Sequence, residues 1–216
     1  MRLEIDGQQR DWKLDEDQTL GDFIIEMNKK LLVDEGRVIT GIKIGDKGLD
    51  EKTKMLTPDQ VMLDQIESIS FDTQSFQDNL SEQYDIAEQT LQSVRESITD
   101  IISFMLSDQI DLAMNKLKED VESLLAYVYK PLTNTERMGV IKTVDIPCGE
   151  GTLHDFLVRF KSTLQELLQA MENSDTTLIN DFLEYEVEPS LGEFKTVIKP
   201  IKEKIAAFDF SSLYGN

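Results

Sequence analysis

The sequence has few cysteines and no long run of apolar residues. A single cysteine, Cys148, excludes an internal disulfide and fits a reducing compartment. No stretch approaches the roughly 18 apolar residues of a membrane-spanning helix, and residues 1–6 lack the apolar core of a secretory signal. We therefore expect a cytoplasmic protein without a membrane-spanning segment.

Basic residues are also scarce. The chain carries 22 Lys and Arg against 42 Asp and Glu, a formal net charge of −20, and Lys and Arg form no cluster. The phosphates of nucleic acids and of anionic lipid surfaces repel such a protein. We therefore expect neither nucleic acid nor membrane as a partner. The charge is attributed to solubility, with a dedicated basic partner as the alternative.

Histidine occurs once, and this scarcity excludes several kinds of site. A two-metal site in a helical bundle needs Glu-x-x-His on two helices. The Asp-rich loop of calcium sites is absent, and residues 149–151 lack the lysine and the preceding strand of a phosphate-binding loop. We expect no metal, no cofactor and no enzymatic activity.

A long heptad pattern dominates the middle of the chain. Its apolar residues recur every three or four positions: Phe76, Leu80, Tyr84, Ala87, Leu91, Val94, Ile98, Ile101 and Met105. The positions between them are mostly Gln, Glu, Asp and Ser. The pattern predicts a helix about 45 Å long that buries one narrow seam against other helices.

The heptad changes phase near residues 107–108. A new seam over 110–128 predicts a tight turn followed by a second, antiparallel helix. Residues 131–151 follow as a connection of about 20 residues, longer than the usual loop between helices. We interpret this connection as a crossover between helix pairs.

Two further helices complete the C-terminal region. Thr152 with Asp155 predicts a capped start for the third helix, and the fourth covers 179–208. A proline inside the fourth helix predicts a kink or break near Glu188. Residues 73–216 are therefore predicted to form an antiparallel four-helix bundle with long heptad-patterned helices.

The first part of the chain shows alternation instead of heptads. Apolar residues alternate with polar ones over 2–14, which predicts a β-hairpin. A helix is predicted over 19–36, with Thr19 at its start and Gly36 at its end. Further strands are predicted over 38–44 and 68–71.

The element order over 1–72 is strand, strand, helix, strand, irregular segment and strand. The irregular segment is predicted to contain a turn at 45–48 and a short helical turn at 57–58. This order resembles the ubiquitin-like β-grasp fold, in which a short sheet wraps around one helix. The resemblance implies a compact module of a kind often used for protein contacts. The complete prediction is an α+β protein with a β-grasp domain, 1–72, and a helical bundle domain, 73–216.

Aromatic residues near the C-terminus are the candidate partner-binding residues. Phe194, Phe208, Phe210 and Tyr214 lie where the longer outer helices are predicted to extend beyond the inner pair. An apolar patch of this kind marks an interaction site and can receive a helix. We predict a non-enzymatic interaction protein, an adaptor or chaperone-like module that binds another protein through its bundle.

Two alternative functions have their own sequence features. The apolar seams can be shared between two chains, which predicts a homodimer that acts as a self-assembling scaffold. Cys148 and His154 lie at or near the 131–151 connection, where the histidine can serve as base to the thiol of an enzyme.

Overall fold

The computed structural model describes residues 2–12, 18–45 and 58–210, except for the side chain of Gln65. It is a mixed α and β protein with a small N-terminal sheet and several helices. Of the predicted turn at 45–48, residues 46–48 lie outside the described residues. No helix within the described residues is both long and apolar enough to cross a membrane.

Contacts divide the described residues into two units. The first contains the residues up to Asn79 together with Asp209 and Phe210, and the second is Leu80–Phe208. The division falls within one helix. The predicted boundary between two folding domains, after residue 72, stays a prediction.

The described part of the first unit contains a four-stranded sheet. The strands are β1 (Arg2–Ile5), β2 (Gln8–Arg10), β3 (Arg37–Gly45) and β4 (Ser68–Ser75). Their order is β2–β1–β4–β3, with β1 parallel to β4 and the other neighbours antiparallel. The predicted hairpin and both later strands are confirmed, and a 3-10 turn is formed at Pro58–Gln60.

Helix α1 (Leu20–Glu35) packs against this sheet. The Thr19 hydroxyl accepts a hydrogen bond from the Asp22 N–H at 3.1 Å, and Gly36 ends the helix in the left-handed region with φ 62°. Both predicted ends are therefore confirmed. The core of the unit consists of Leu3, Ile5, Leu20, Phe23, Met27, Leu31, Val61, Leu63, Ile66, Ile69 and Phe71.

The long heptad helix is α2 (Phe76–Leu106). Every predicted seam residue after Phe76 is buried, which confirms the seam. The turn that follows places Asp108 in the left-handed region, with φ 59°. Gln109 then donates its N–H to the Phe104 carbonyl at 2.9 Å, which satisfies one of the last carbonyls of α2.

The second helical segment is longer than predicted. Helix α3 (Ile110–Leu124) continues through a π turn, Leu125–Tyr129, into α4 (Lys130–Arg137). The prediction of an irregular connection from residue 131 is therefore wrong over its first seven residues. The π turn widens the helix just before Pro131, so the missing N–H and the bulk of the ring do not break it.

The connection to the third helix contains a small β-hairpin. A 3-10 turn at Thr143–Asp145 precedes β5 (Pro147–Cys148) and β6 (Gly151–Thr152). Helix α5 (Leu153–Glu172) then begins with a capping box, in which Thr152 and Asp155 each bond the other's backbone N–H. The predicted cap is confirmed, and these hydrogen bonds lower the pKa of Asp155.

The last helical segment also contains a π turn. Helix α6 (Thr176–Phe182) leads through Leu183–Val187 into α7 (Glu188–Ala207). The chain stays helical through Glu188, so the helix does not break there, and the π turn accommodates the proline that follows. A π turn is a feature at which helices kink, and the predicted kink near Glu188 stays a prediction.

The two helical hairpins repeat one local design. Each turn has a residue in the left-handed region, Asp108 or Ser174, followed by a residue whose N–H reaches the carbonyl five positions earlier. Each second helix carries a π turn in the sequence Leu-x-Tyr-x-x-x-Pro, at 125–131 and at 183–189. The two hairpins share few other residues, so the repetition lies in their local geometry more than in their sequence.

Candidate functional site

One side of the helical unit is bridged by ion pairs between α2 and α7. The pairs are Asp85–Lys202, Glu88–Lys195 and Arg95–Glu188. Residue numbers rise along α2 as they fall along α7, so the two helices are antiparallel. A pocket of about 340 Å³ lies between α2 and residues 184–188 beside the last of these pairs, so this side is closed by charged side chains only where the pairs form.

The side between residues 110–137 and α5 is open. No hydrogen bond or ion pair joins these two segments, both of which are fully described. Two of their charged groups pair elsewhere: Lys118 pairs with Glu122 in its own helix, and Arg159 reaches Glu193 on α7 at 3.2 Å. A cleft of about 520 Å³ separates the segments and is the candidate functional site.

One wall of the cleft comes from α3, the first π turn and α4. It is made of Val121, Leu124, Leu125, Val128, Tyr129 and Leu132. Leu125 is 52% exposed and Tyr129 is 55% exposed, although both side chains are largely apolar. The π turn presents these two residues at the rim, and π turns frequently occur at functional sites.

The facing wall comes from α5. It is made of His154, Leu157, Val158, Phe160, Lys161 and Leu164. Val158 is 59% exposed at the rim, opposite the wall that carries the π turn. Exposed apolar side chains gathered around a concave surface mark an interaction site more reliably than isolated ones.

Aromatic packing forms the floor of the cleft. Phe194, on α7, is only 5% exposed, and its ring centroid lies 5.5 Å from that of Phe156. Phe156 also stacks on Phe160, with centroids 5.6 Å apart. Leu91 and Leu191 complete the floor. The cleft is therefore an opening into the apolar core and not a surface groove between charged faces.

One charged residue lines the cleft. It is Lys161, on α5, and no carboxylate is among the lining residues. The whole chain is strongly acidic, with a net charge of −20. The lining of the cleft therefore differs in charge from the chain as a whole.

The structure separates the predicted partner-binding residues. Phe194 lies in the floor of the cleft. Phe208 is half-buried just after α7 and does not line the cleft, and Phe210 packs edge-on against Phe76 with centroids 5.3 Å apart. Tyr214 lies outside the described residues. A partner-binding role for this set stays a prediction.

The environment of Cys148 disfavours a thiolate. Its side chain is buried, and Sγ lies 3.7 Å from Oε1 of Glu193. Burial, followed by the negative charge of Glu193, raises the pKa of Cys148 to about 12. The thiol is therefore protonated at neutral pH. His154 instead lines the cleft.

Sequence reasoning missed most residues of the cleft rim. The seam predicted for the second helix ends at Val128. Leu125, Tyr129 and Val158 lie off the predicted seams, so no role was predicted for them. The available signal was a second apolar stripe beside the first over 121–132. A stripe of that width does not fit a single narrow seam.

A buried carboxyl group connects α2 and α3. Asp120, 8% exposed, accepts a hydrogen bond from the hydroxyl of Ser97. Burial raises the pKa of Asp120, although the Ser97 hydroxyl and Lys116 oppose this change. The folded protein therefore disfavours the ionised form of Asp120.

Asp120→Asn is expected to raise the thermal midpoint by roughly 1–3 °C at pH 7, because the amide still accepts from Ser97 without carrying a charge. Below the ordinary pKa of 3.8, the carboxyl is protonated in both the folded and the unfolded state. The gain should therefore vanish near that pH and grow as the pH rises. Thermal melts from pH 3.5 to pH 7 measure it.

Asp111→Asn is the control for this prediction. Asp111 is exposed in the first turn of the same helix, where a negative charge is favourable. This variant should show no gain at pH 7. A gain of equal size for both variants, or a gain for Asp120→Asn that does not change with pH, would contradict the account.

Fold and cleft together define the class of protein: a mixed α and β chain whose helical unit has an open apolar cleft. Within the described ranges, no group of three His, Cys, Asp or Glu side chains is arranged to hold a metal. A family model described as a domain of unknown function, DUF8042, matches residues 124–197. The match includes every cleft-lining residue apart from Leu91 and Val121. No characterised protein and no solved structure matches the chain.

Proposed function

We propose that this protein is a non-enzymatic interaction module that binds another protein by receiving an amphipathic helix in the apolar cleft. The observation that carries the proposal is the open side between residues 110–137 and α5. There, apolar rim residues are exposed above an aromatic floor. A helix in such a cleft would bury the rim residues without rearranging the charged pairs on the other side.

The dimensions of the cleft suit a short helix. Its first wall extends from Val121 to Leu132, which at about 1.5 Å per residue is roughly 17 Å. A partner helix of about three turns would match that length. Its apolar residues, spaced at i, i+3 or i+4, and i+7, would then insert between the two walls.

The proposal includes the finer description of the fold. We propose that the first unit is a β-grasp domain, supported by the parallel pairing of β1 with β4 in the centre of the sheet. We propose that the helical unit is an antiparallel four-helix bundle, supported by the two helical hairpins and by the ion pairs that make α2 antiparallel to α7. The proposed cytoplasmic location rests on the sequence alone.

The absence of enzymatic activity is also part of the proposal. The protonated state of Cys148 supports it, because the enzyme alternative requires a thiolate. The homodimer alternative uses the same cleft, since the exposed rim of one copy can pack against that of another.

A synthetic peptide of leucine and lysine tests the function. With about 14 residues, it forms roughly four helical turns with one apolar face. We expect the full chain to bind it with a Kd of about 10 µM, measured by calorimetry. Val158→Asp should weaken binding by at least about tenfold, because the new carboxylate would lie against the leucine face of the peptide and lose its hydration.

Two controls separate cleft binding from general attraction between opposite charges. Leu168→Asp adds the same charge at an exposed leucine on the same helix, 54% exposed and outside the cleft. It should change the Kd by less than about twofold. A peptide of the same composition, scrambled to remove its apolar face, should not bind.

Each remaining outcome counts against the proposal. Equal binding by both aspartate variants would assign the affinity to charge and not to the cleft. The wild-type chain could instead sediment as a dimer that Val158→Asp converts to a monomer. This result would show that a second copy of the chain occupies the cleft.

A further inference from the structure

The first helix of each helical hairpin carries a cation at the corresponding position, but only one of these two cations has a partner. Arg95 on α2 and Lys161 on α5 each lie eleven residues before the last residue of their helix. Arg95 donates from Nε to Oε1 of Glu188 at 2.9 Å. Lys161 lines the cleft, and no described residue forms an ion pair or a hydrogen bond with it.

The residues that follow the two π turns explain this difference. Glu188 is the first residue after the second π turn and supplies the carboxylate that closes the α2–α7 side. The first residue after the first π turn is Lys130. A lysine at this position cannot pair with a lysine as Glu188 pairs with Arg95. The first hairpin therefore has no carboxylate at the position where the second hairpin has Glu188, and this position lies on the side that contains the cleft.

We propose that the partner helix supplies this carboxylate, through an Asp or Glu side chain beside its apolar face that pairs with Lys161. This inference rests on the proposed function and adds the chemistry of the partner. The apolar walls select the face of the helix, and Lys161 selects its orientation and register by one charged contact. The stem of Lys161 can lie along the apolar wall while its ammonium group meets the carboxylate at the rim.

The test uses three versions of the leucine and lysine peptide, which carry Glu, Gln or Lys at one position bordering the centre of the apolar face. The wild-type chain should bind the Glu version about fivefold more tightly than the Gln version, as expected for one partly exposed ion pair. That preference should fall as salt is added.

Variants of Lys161 assign the preference to its charge. Lys161→Gln should bind the Glu and Gln versions equally. Lys161→Glu should reverse the preference and favour the Lys version. Lys199→Gln removes an exposed lysine on α7 outside the cleft and should leave the fivefold preference intact.

The outcomes distinguish this inference from the function on which it rests. If none of the three peptides binds the wild-type chain, the cleft does not receive helices and both proposals fall. If all three bind equally and Val158→Asp still abolishes binding, the cleft receives helices but Lys161 does not select them, and this inference alone is overturned. A preference that survives Lys161→Gln would also overturn it.

Discussion

Phe23→Ala is expected to lower the free energy of unfolding by about 3–5 kcal/mol, the range for truncating a buried aromatic residue. Phe23 is fully buried between α1 and the sheet. Its ring centroid lies 6.0 Å from that of Phe71 and 6.1 Å from that of Trp12. Alanine would leave a cavity that Trp12 and Phe71, on separate segments of the chain, cannot fill.

The measurement uses Trp12, the only tryptophan of the chain, as a fluorescence reporter of the first unit. Urea unfolding followed by its emission should shift to lower denaturant for Phe23→Ala. Ile25→Ala, at a 67% exposed position two residues further along α1, should change the stability by no more than about 0.5 kcal/mol. Similar losses for the two variants would show that Phe23 does not anchor this core.

Phe194→Ala is expected to destabilise the helical unit by about 3 kcal/mol or more. Phe194 was selected from the sequence as a candidate contact with a partner, but it is 5% exposed and packs on Phe156. Truncation should therefore remove core packing and deepen the cleft. Urea unfolding followed by far-UV circular dichroism measures the loss.

Tyr185→Ala is the matched control for this variant. Tyr185 is an aromatic residue of the same continuous helical segment but is 65% exposed, so its loss should be within about 0.5 kcal/mol. The double variant Phe156→Ala with Phe194→Ala should lose less than the sum of the single losses, because the two rings contact each other. If the losses of the two single variants were fully additive, the contact between Phe156 and Phe194 would not contribute to the stability of the cleft floor.

The two π turns have the same local role but different consequences for the tertiary structure. Each allows a proline to remain inside a long helix without breaking it. The turn before Pro131 also presents Leu125 and Tyr129 at the rim of the cleft. The turn before Pro189 is followed by Glu188, which pairs with Arg95 and closes the opposite side.

Much of the fold could be predicted because it depends on local properties. The heptad seam of α2, the Thr19 and Thr152 caps and the turn near Asp108 follow from spacing and side-chain hydrogen bonding within a few residues. The error occurred at Pro131. There, the rule that proline ends a helix was overridden by a π turn, and the Leu-x-Tyr-x-x-x-Pro sequence that the two π turns share does not by itself predict this change of pitch.

The candidate site was less predictable because it depends on which helix faces meet. The amino-acid sequence by itself determined the acidic charge, the helices and strands and the residues that seek burial, since periodicity and composition are properties of the chain. Only the tertiary structure decided which side of the helical unit closes. Arg95 pairs with Glu188, which lies 93 residues further along the chain, whereas no carboxylate lines the cleft that Lys161 faces. Pairing between distant segments depends on geometry, and spacing along the chain does not encode it.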